Sequence, residues 1–102
     1  MEFKQLEAFV AVVENKSFSE AARQLNLTQP TISAHIRMLE EELRSTLITR
    51  TTKSIEVTPR GLELYECAST ILNLKDNLIQ RWSSEENKII QTAYTFEQTK
   101  VY

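Results

Sequence analysis

Two helical patterns separated by a short turn, within residues 17–43, constrain the fold of this chain more than any other feature. Ser17 can cap the first helix, and Glu20, three residues later, can complete a capping box. Asn26 tolerates the left-handed conformation in which helices often end. The apolar residues predicted for the inner face of this helix are Ala21, Ala22 and Leu25.

The second helix of the pair begins with small polar side chains. We expect Leu27 to be buried in the turn, Thr28 to cap the helix and Pro30 to lie in its first turn, where a missing N–H is tolerated. Its apolar stripe consists of Ile32, Ile36, Leu39 and Leu43. The other faces carry Gln29, Thr31, Ser33, Ala34 and Arg37. A first turn of this kind suits a helix that contacts base edges in the major groove, so the pattern predicts a helix-turn-helix.

Charge is unevenly distributed along the 102 residues. The net charge is −2, although contacts to nucleic-acid backbone need Lys and Arg. A cluster of acids lies at residues 40–42, which we interpret as a solvated face with Glu40 able to turn toward an intramolecular partner. The middle of the chain is rich in positively charged residues, which predict a local basic face: Arg23, Arg37, Arg44, Arg50, Lys53 and Arg60.

Several functional classes are disfavoured by what the sequence contains. A single cysteine, Cys67, precludes an intramolecular disulfide and fits a reducing compartment. We find no membrane-length apolar run and no signal-peptide pattern, so we expect a cytoplasmic protein without membrane contact. His35 lacks the partners of a metal site, and no catalytic constellation is evident, so we expect no metal, no cofactor and no enzymatic activity.

Elements before and after the helix pair complete a small domain. Residues 2–14 predict a helix by apolar spacing, although residues 9–13 could equally form a buried strand by propensity. Residues 47–51 and 54–58 predict a hairpin around Thr52 and Lys53, a wing without the glycine that usually marks such a turn. Arg50 and Lys53 would then face phosphates or the minor groove.

The longest predicted helix follows Thr58 as cap and Pro59 as first residue. A helix of about 25 to 30 residues spans about 40 Å, more than this small body covers, so we favour pairing with a second copy over a helix folded back on its own domain. The predicted dimer interface comprises Leu64, Cys67, Ile71, Leu74, Leu78 and Trp82. A second apolar set widens this face: Tyr65, Ala68, Leu72 and Ile79.

The predicted organisation is mainly α-helical. Residues 1–58 form a winged helix-turn-helix of three helices and a two-stranded wing, and residues 59–88 form a linker and dimerisation helix. The tail, residues 89–102, alternates apolar and polar side chains, which predicts a strand without a partner, the start of a further domain or a disordered end.

Residues 1–88 resemble the N-terminal DNA-binding region of LysR-type transcriptional regulators. The matching residues include Leu6, Phe9, Ser17, Phe18, Ala21, Ala22, Leu25, Thr28, Gln29, Pro30, Ser33, Ile36, Leu39, Glu40, Leu43, Leu47, Arg50, Thr58 and Gly61. The resemblance implies a cytoplasmic bacterial protein, a winged helix-turn-helix and a linker helix that pairs two subunits on an interrupted palindrome. Members carry an effector-binding domain beyond this region, so no small-molecule effector is expected for this chain alone.

The resemblance also implies which residues contact DNA. Gln29 and Pro30 correspond to residues at bases or flanking sugars, and Gln29 can bond adenine in a bidentate manner. Arg37 can reach a phosphate or pair with Glu41 four residues later. The full predicted set is Ser17, Thr28, Gln29, Pro30, Thr31, Ser33, Ala34, Arg37, Arg50 and Lys53.

This chain departs from the family pattern at three positions. Ala34 stands where many members have a base-contacting arginine, Ser45 replaces a common glycine, and Ile48 replaces a frequent phenylalanine. The sequence thus predicts a dimeric, sequence-specific DNA-binding regulator, either a domain of a larger regulator or a short relative. The alternative is an interaction protein that forms mixed dimers with a full-length regulator and modulates it.

Overall fold

A computed structural model describes residues 1–85, whose backbone is mostly helical. The elements in chain order are α1 (Phe3–Asn15), α2 (Phe18–Leu25), α3 (Gln29–Leu43), β1 (Ile48–Arg50), β2 (Ile55–Val57) and α4 (Pro59–Glu85). One compact unit comprises residues 1–72 and a second begins at Asn73, so α4 contributes residues to both. Within residues 1–85, no helix is both long and apolar enough to span a bilayer. The predicted tail strand, residues 89–102, lies outside the described residues.

The core of the first unit is built mainly from the three N-terminal helices. α1 contributes Leu6, Phe9 and Val12, all almost fully buried. Their three-residue spacing places them on one face of a helix, whereas a strand would have divided them between its two faces. The open choice between helix and strand for residues 9–13 is thus decided for the helix. Opposite α1 in this core lie Ala21, Ala22, Ile32, Ile36 and Leu39.

The turn between α2 and α3 is formed as the sequence predicts. Ser17 Oγ accepts the Glu20 N–H at 3.0 Å, and Asn26 adopts the left-handed conformation with φ of 59°. Thr28 Oγ1 accepts the Thr31 N–H at 3.3 Å, which caps α3. The capping box, however, is only half made, because the Glu20 carboxylate pairs with Arg23 at 3.2 Å.

Leu27 corrects one prediction, because its side chain is 41% exposed. Its backbone N–H bonds to the Ala22 carbonyl at 2.8 Å, as expected for a residue that follows a left-handed helix end. The core between α2 and α3 is occupied by Ala22 and Ile32 and does not include Leu27. Leu27 therefore contributes to the turn chiefly through its backbone.

The wing is a short antiparallel hairpin. Ile48 faces Val57, and Arg50 faces Ile55. Each strand has three residues, which is shorter than predicted, and the remaining residues form a turn around Thr51. The Thr51 hydroxyl donates to the Ser54 carbonyl at 2.9 Å and accepts the Ser54 N–H at 3.0 Å. A threonine side chain thus provides the turn bonds that compensate for the absent glycine.

The start of α4 is fixed against the wing. Thr58 Oγ1 accepts the Gly61 N–H at 3.0 Å and donates to the Thr46 carbonyl at 2.6 Å. Gly61 is buried, and a Cβ there would meet the Leu47 carbonyl oxygen and lie 2.7 Å from the side chain of Val57. Only glycine allows α4 to approach the hairpin this closely.

The first part of α4 covers the core of its own domain. Ala68 is fully buried, and Leu64, Tyr65 and Leu72 are half-buried against the core. The Tyr65 hydroxyl donates to the Glu14 carboxylate at 2.8 Å, which links α4 to α1. The Glu14 hydrogen bond, with burial second, raises the pKa of the Tyr65 phenol. The second predicted apolar set thus packs, up to Leu72, within the first unit, together with Leu64 of the predicted dimer interface.

Candidate nucleic-acid interface

The first turn of α3 presents polar side chains to solvent. Thr28, Gln29 and Pro30 are exposed, and Thr31 is half-buried. The Thr28 and Thr31 hydroxyls lie 2.9 Å apart, and both are engaged at the cap. The Gln29 amide keeps its donors and acceptor free for a base edge, since no hydrogen bond within residues 1–85 uses its side chain.

The following turns of α3 carry the other predicted contacts. Ser33 and Ala34 are half-buried, whereas Arg37 is exposed. No ion pair joins Arg37 to Glu41 within the described part of the chain, so the guanidinium remains available to a phosphate. His35 is half-buried, and its Nδ1 atom has no hydrogen-bond partner within residues 1–85. These side chains extend the polar surface beyond the first turn of α3.

The wing arginine is held against two helices. The Arg50 guanidinium carbon lies 3.7 Å from the centre of the Phe18 ring. Its Nη2 donates to Ser33 Oγ at 3.0 Å. Phe18, at the start of α2, therefore packs one side on the core and holds an arginine on the surface. An open groove between α2, α3 and β1 is lined by these residues together with Arg37 and Glu40.

Glu40 fastens the other end of β1 to α3. Its Oε2 accepts the N–H of Leu47 at 2.9 Å and the N–H of Ile48 at 3.3 Å. The carboxylate thereby satisfies two backbone donors of nearly buried residues at the start of the wing. The sequence interpretation allowed Glu40 an intramolecular partner, and the structure identifies it as the backbone of the wing.

The remaining predicted contacts lie at the edges of this surface. Lys53 is exposed in the turn of the wing, and its backbone N–H bonds to Thr51 Oγ1 at 3.3 Å. Ser17 is half-buried, and its hydroxyl caps α2 and lies 3.1 Å from Ser19 Oγ. The helix pair, its two capping residues and the wing thus carry all ten predicted residues within one unit.

The predicted dimer residues of α4 differ in solvent exposure between the first unit and the second. In the first unit, Leu64 is half-buried, whereas Cys67 and Ile71 are exposed. In the unit that begins at Asn73, Leu74, Leu78 and Trp82 are exposed, with 64%, 48% and 72% of their surfaces accessible. These large apolar side chains are therefore available to a partner. No cluster of three His, Cys, Asp or Glu within residues 1–85 could hold a metal ion.

Comparison with known proteins identifies the family. The profile described as "Bacterial regulatory helix-turn-helix protein, lysR family" matches residues 3–62. This chain belongs to the LysR family. Its membership confirms the resemblance deduced from the residues, and with it the winged helix-turn-helix fold.

Curated LysR-type relatives are longer than this chain. It is 40% identical over 81 residues to the HTH-type transcriptional regulator BudR of Klebsiella aerogenes. The matched segment covers 79% of this chain and 57% of BudR. It is also 36% identical over 97 residues to the HTH-type transcriptional regulator AlsR of Bacillus subtilis. That matched segment covers 92% of this chain and 32% of AlsR. The chain thus spans about a third to somewhat over half of these two relatives.

Solved structures of LysR-type DNA-binding domains have the same fold. The BenM DNA-binding domain in complex with catB site 1 DNA matches with a TM-score of 0.82 at 36% identity, over 87% of this chain and all of that chain. The CbnR DNA-binding domain in complex with DNA matches with a TM-score of 0.76 at 36% identity, over 82% of this chain and 97% of that chain.

Proposed function

We propose that this chain binds double-stranded DNA at specific sequences as a homodimer, in the cytoplasm, and thereby regulates transcription. The observation that carries this proposal is the exposed polar first turn of α3, beside a wing whose turn carries an exposed lysine. A polar helix start with a free glutamine amide fits the major groove, and a neighbouring hairpin fits the DNA backbone. Two similar domains, those of BenM and CbnR, were solved as DNA complexes.

Base contacts in this proposal centre on Gln29. Its exposed amide can bind adenine in a bidentate arrangement, in which the NH2 group donates to N7 and the carbonyl oxygen accepts from the N6 amino group. Pro30 supplies an apolar surface beside it. Ala34 has no hydrogen-bonding group, so its methyl group suits contact with a thymine methyl instead of a polar base edge. Recognition by this helix is therefore based on adenine and thymine features more than on guanine.

In this proposal, contacts to the DNA backbone surround the base contacts of Gln29. Arg37 and Lys53 provide exposed positive charges for phosphates, and both lie outside the ion pairs within residues 1–85. Hydroxyl groups near the helix starts add neutral contacts, from Ser17, Thr28, Thr31 and Ser33. Phosphate contacts position the helix without selecting a sequence. The net charge of −2 is compatible with this arrangement, because Arg37 on α3 and Lys53 in the wing turn are exposed.

The dimer in this proposal forms through α4, with residues 1–58 as the DNA-binding part and residues 59–88 as the linker. Its support is the exposure of Ile71 in the first unit and of Leu74, Leu78 and Trp82 in the second. Full burial of an exposed Ile or Leu side chain contributes about 1.5–3 kcal/mol, and these partly exposed side chains would each contribute a part of that. Two copies would present two α3 helices to a pair of half-sites, as a two-fold dimer requires.

Selection from random DNA tests the proposal. The immobilised 102-residue chain is used to enrich a library of random duplexes, and the enriched sequences are aligned. We expect an interrupted palindrome with two half-sites. The selected duplex is then titrated by fluorescence anisotropy at several salt concentrations, where we expect affinity to fall steeply as salt rises. No enrichment, together with binding that ignores salt, would contradict DNA binding by this chain.

Light scattering tests the dimer independently of DNA. Ile71→Asp combined with Leu78→Asp places two charges in the proposed interface, and we expect the mass of a monomer. Asn73→Asp combined with Gln80→Glu is the matched control, with the same added charge and the same seven-residue spacing at polar positions of α4. An unchanged dimer mass in the first variant, or equal dissociation in both, would refute pairing through this face.

A further inference from the structure

The Arg50 side chain of the wing contacts both helices of the helix-turn-helix. Its guanidinium lies over the Phe18 ring at 3.7 Å and donates to Ser33 Oγ at 3.0 Å. A single side chain therefore joins β1 to the start of α2 and to the middle of α3. A planar guanidinium can stack on a ring with its face and donate hydrogen bonds from its edge, which an ammonium group does not do.

Arg50 and Glu40 each connect the first strand of the wing to α3 through hydrogen bonds. At the start of β1, Glu40 accepts the backbone N–H groups of Leu47 and Ile48. At its end, Arg50 reaches Ser33, which lies seven residues before Glu40 and so about 10 Å nearer the start of α3. β1 therefore runs back along α3 toward its first turn, and the wing turn with Lys53 follows at that end.

We propose that Arg50 is a positioning residue, which holds the wing beside the recognition helix and orients the Ser33 hydroxyl toward the DNA backbone, and that it does not itself bind a phosphate. This inference rests on the proposed DNA binding. A serine hydroxyl has one proton and two lone pairs. Because its oxygen accepts from Arg50, the proton is left for a phosphate oxygen, and the positive donor polarises the hydroxyl and strengthens that bond.

Charge-conserving variants separate positioning from direct contact. Arg50→Lys keeps the positive charge and loses both the stacking and the fork of donors. We expect it to weaken binding to the selected duplex about tenfold, with the slope of log affinity against log salt unchanged. A lysine replaces a direct phosphate contact well, so binding within about twofold of the original chain would overturn the proposal.

Double variants test whether Arg50 acts through Ser33. Ser33→Ala should weaken binding to the selected duplex, and the addition of Arg50→Lys should then weaken it by clearly less than the roughly tenfold expected in the original chain. Independent, multiplicative losses would overturn the proposal. Phe18→Leu removes the ring without changing any charge, and we expect it to weaken binding with the same salt slope as the original chain. Binding unaffected by Phe18→Leu would contradict the role of stacking.

Controls make the outcomes distinguishable. Lys53→Ala, which removes a proposed phosphate contact, should reduce the salt slope by about 0.9. Amide hydrogen exchange of the free chain gives a readout without DNA: Arg50→Lys should accelerate exchange in the wing and leave α1 unchanged. Unchanged exchange in the wing would overturn positioning. If the original chain does not bind DNA, both the proposed function and the positioning role fail. If the original chain binds and the Arg50→Lys variant binds equally well, only the positioning role fails.

Discussion

Replacing Glu40 with alanine should destabilise the domain through the wing. Glu40 Oε2 accepts the N–H groups of Leu47 and Ile48 at 2.9 and 3.3 Å, and these two residues are 1% and 8% exposed. Alanine would leave both donors without the carboxylate in a place that water reaches poorly. Hydrogen bonds to a charged group contribute about 1.5–3 kcal/mol each, and the longer bond contributes less, so we expect a loss of about 3 kcal/mol in the free energy of unfolding.

Urea unfolding followed by circular dichroism measures this loss, with all variants at one protein concentration because the proposed dimerisation would make the apparent stability depend on concentration. Glu41→Ala is the matched control, since it makes the same change at the neighbouring exposed position of α3. We expect the control to remain within about 0.5 kcal/mol of the original chain. Glu40→Gln keeps an acceptor and should lie between the two. Equal stabilities of the Glu40→Ala and Glu41→Ala variants would refute the anchoring role.

Three further perturbations test local features. Gly61→Ala should lower the free energy of unfolding by about 1–3 kcal/mol in urea titrations, because the methyl group would overlap the Leu47 carbonyl; stabilisation, as helix propensity alone predicts, would contradict that contact. Arg44→Gly should raise the free energy of unfolding of the domain by about 0.5–1 kcal/mol, because Arg44 ends α3 in the left-handed conformation, with φ of 51°, which glycine adopts without strain. A lower melting temperature of this variant would contradict that reasoning. The pKa of Tyr65 should lie above its ordinary value, and Glu14→Gln should lower it, as measured by ultraviolet titration against the Tyr65→Phe variant. Since the folded state favours the neutral phenol, the stability gained from this pair is complete below about pH 10 and is lost as pH rises through the folded pKa; a Tyr65 titration unaffected by Glu14→Gln would refute the hydrogen bond as its cause.

Sequence reasoning was most successful where the chemistry is local. Ser17, Asn26 and Thr28 each occupy the capping role predicted for them. These roles depend on side chains that bond to their own backbone a few residues away, so neighbouring residues in the sequence suffice to deduce them. The family assignment had the same basis, because its motif consists largely of these capping and core positions.

Contacts between distant residues were not accessible from the sequence. Nothing in the pattern indicated that Arg50 would stack on Phe18, 32 residues earlier, and bond to Ser33. The position of the wing turn was predicted, but its hydrogen bonds to the Thr51 hydroxyl were not. The missing glycine at Ser45 proved less consequential, since the left-handed conformation falls on Arg44, one residue earlier.

Exposure was the quantity hardest to predict. Leu27 fits an apolar pattern and yet lies at the surface, because Ala22 and Ile32 already occupy the adjacent core. The two apolar sets on α4 were likewise indistinguishable by spacing. The fold shows that Ala68 belongs to the set covering the first unit, whereas Ile71 is left exposed. Whether an apolar residue is covered depends on the packing of other elements, and periodicity alone does not report it.

The central claim is that the first turn of α3 selects DNA sequence, and the Gln29→Ala variant tests it most directly. Its affinity, measured by fluorescence anisotropy at one salt concentration, is compared with that of the original chain on the selected duplex and on a random duplex. We expect a loss of about 1–3 kcal/mol on the selected duplex and little change on random DNA, since base contacts discriminate and phosphate contacts do not. Equal losses on both duplexes would contradict base recognition by Gln29.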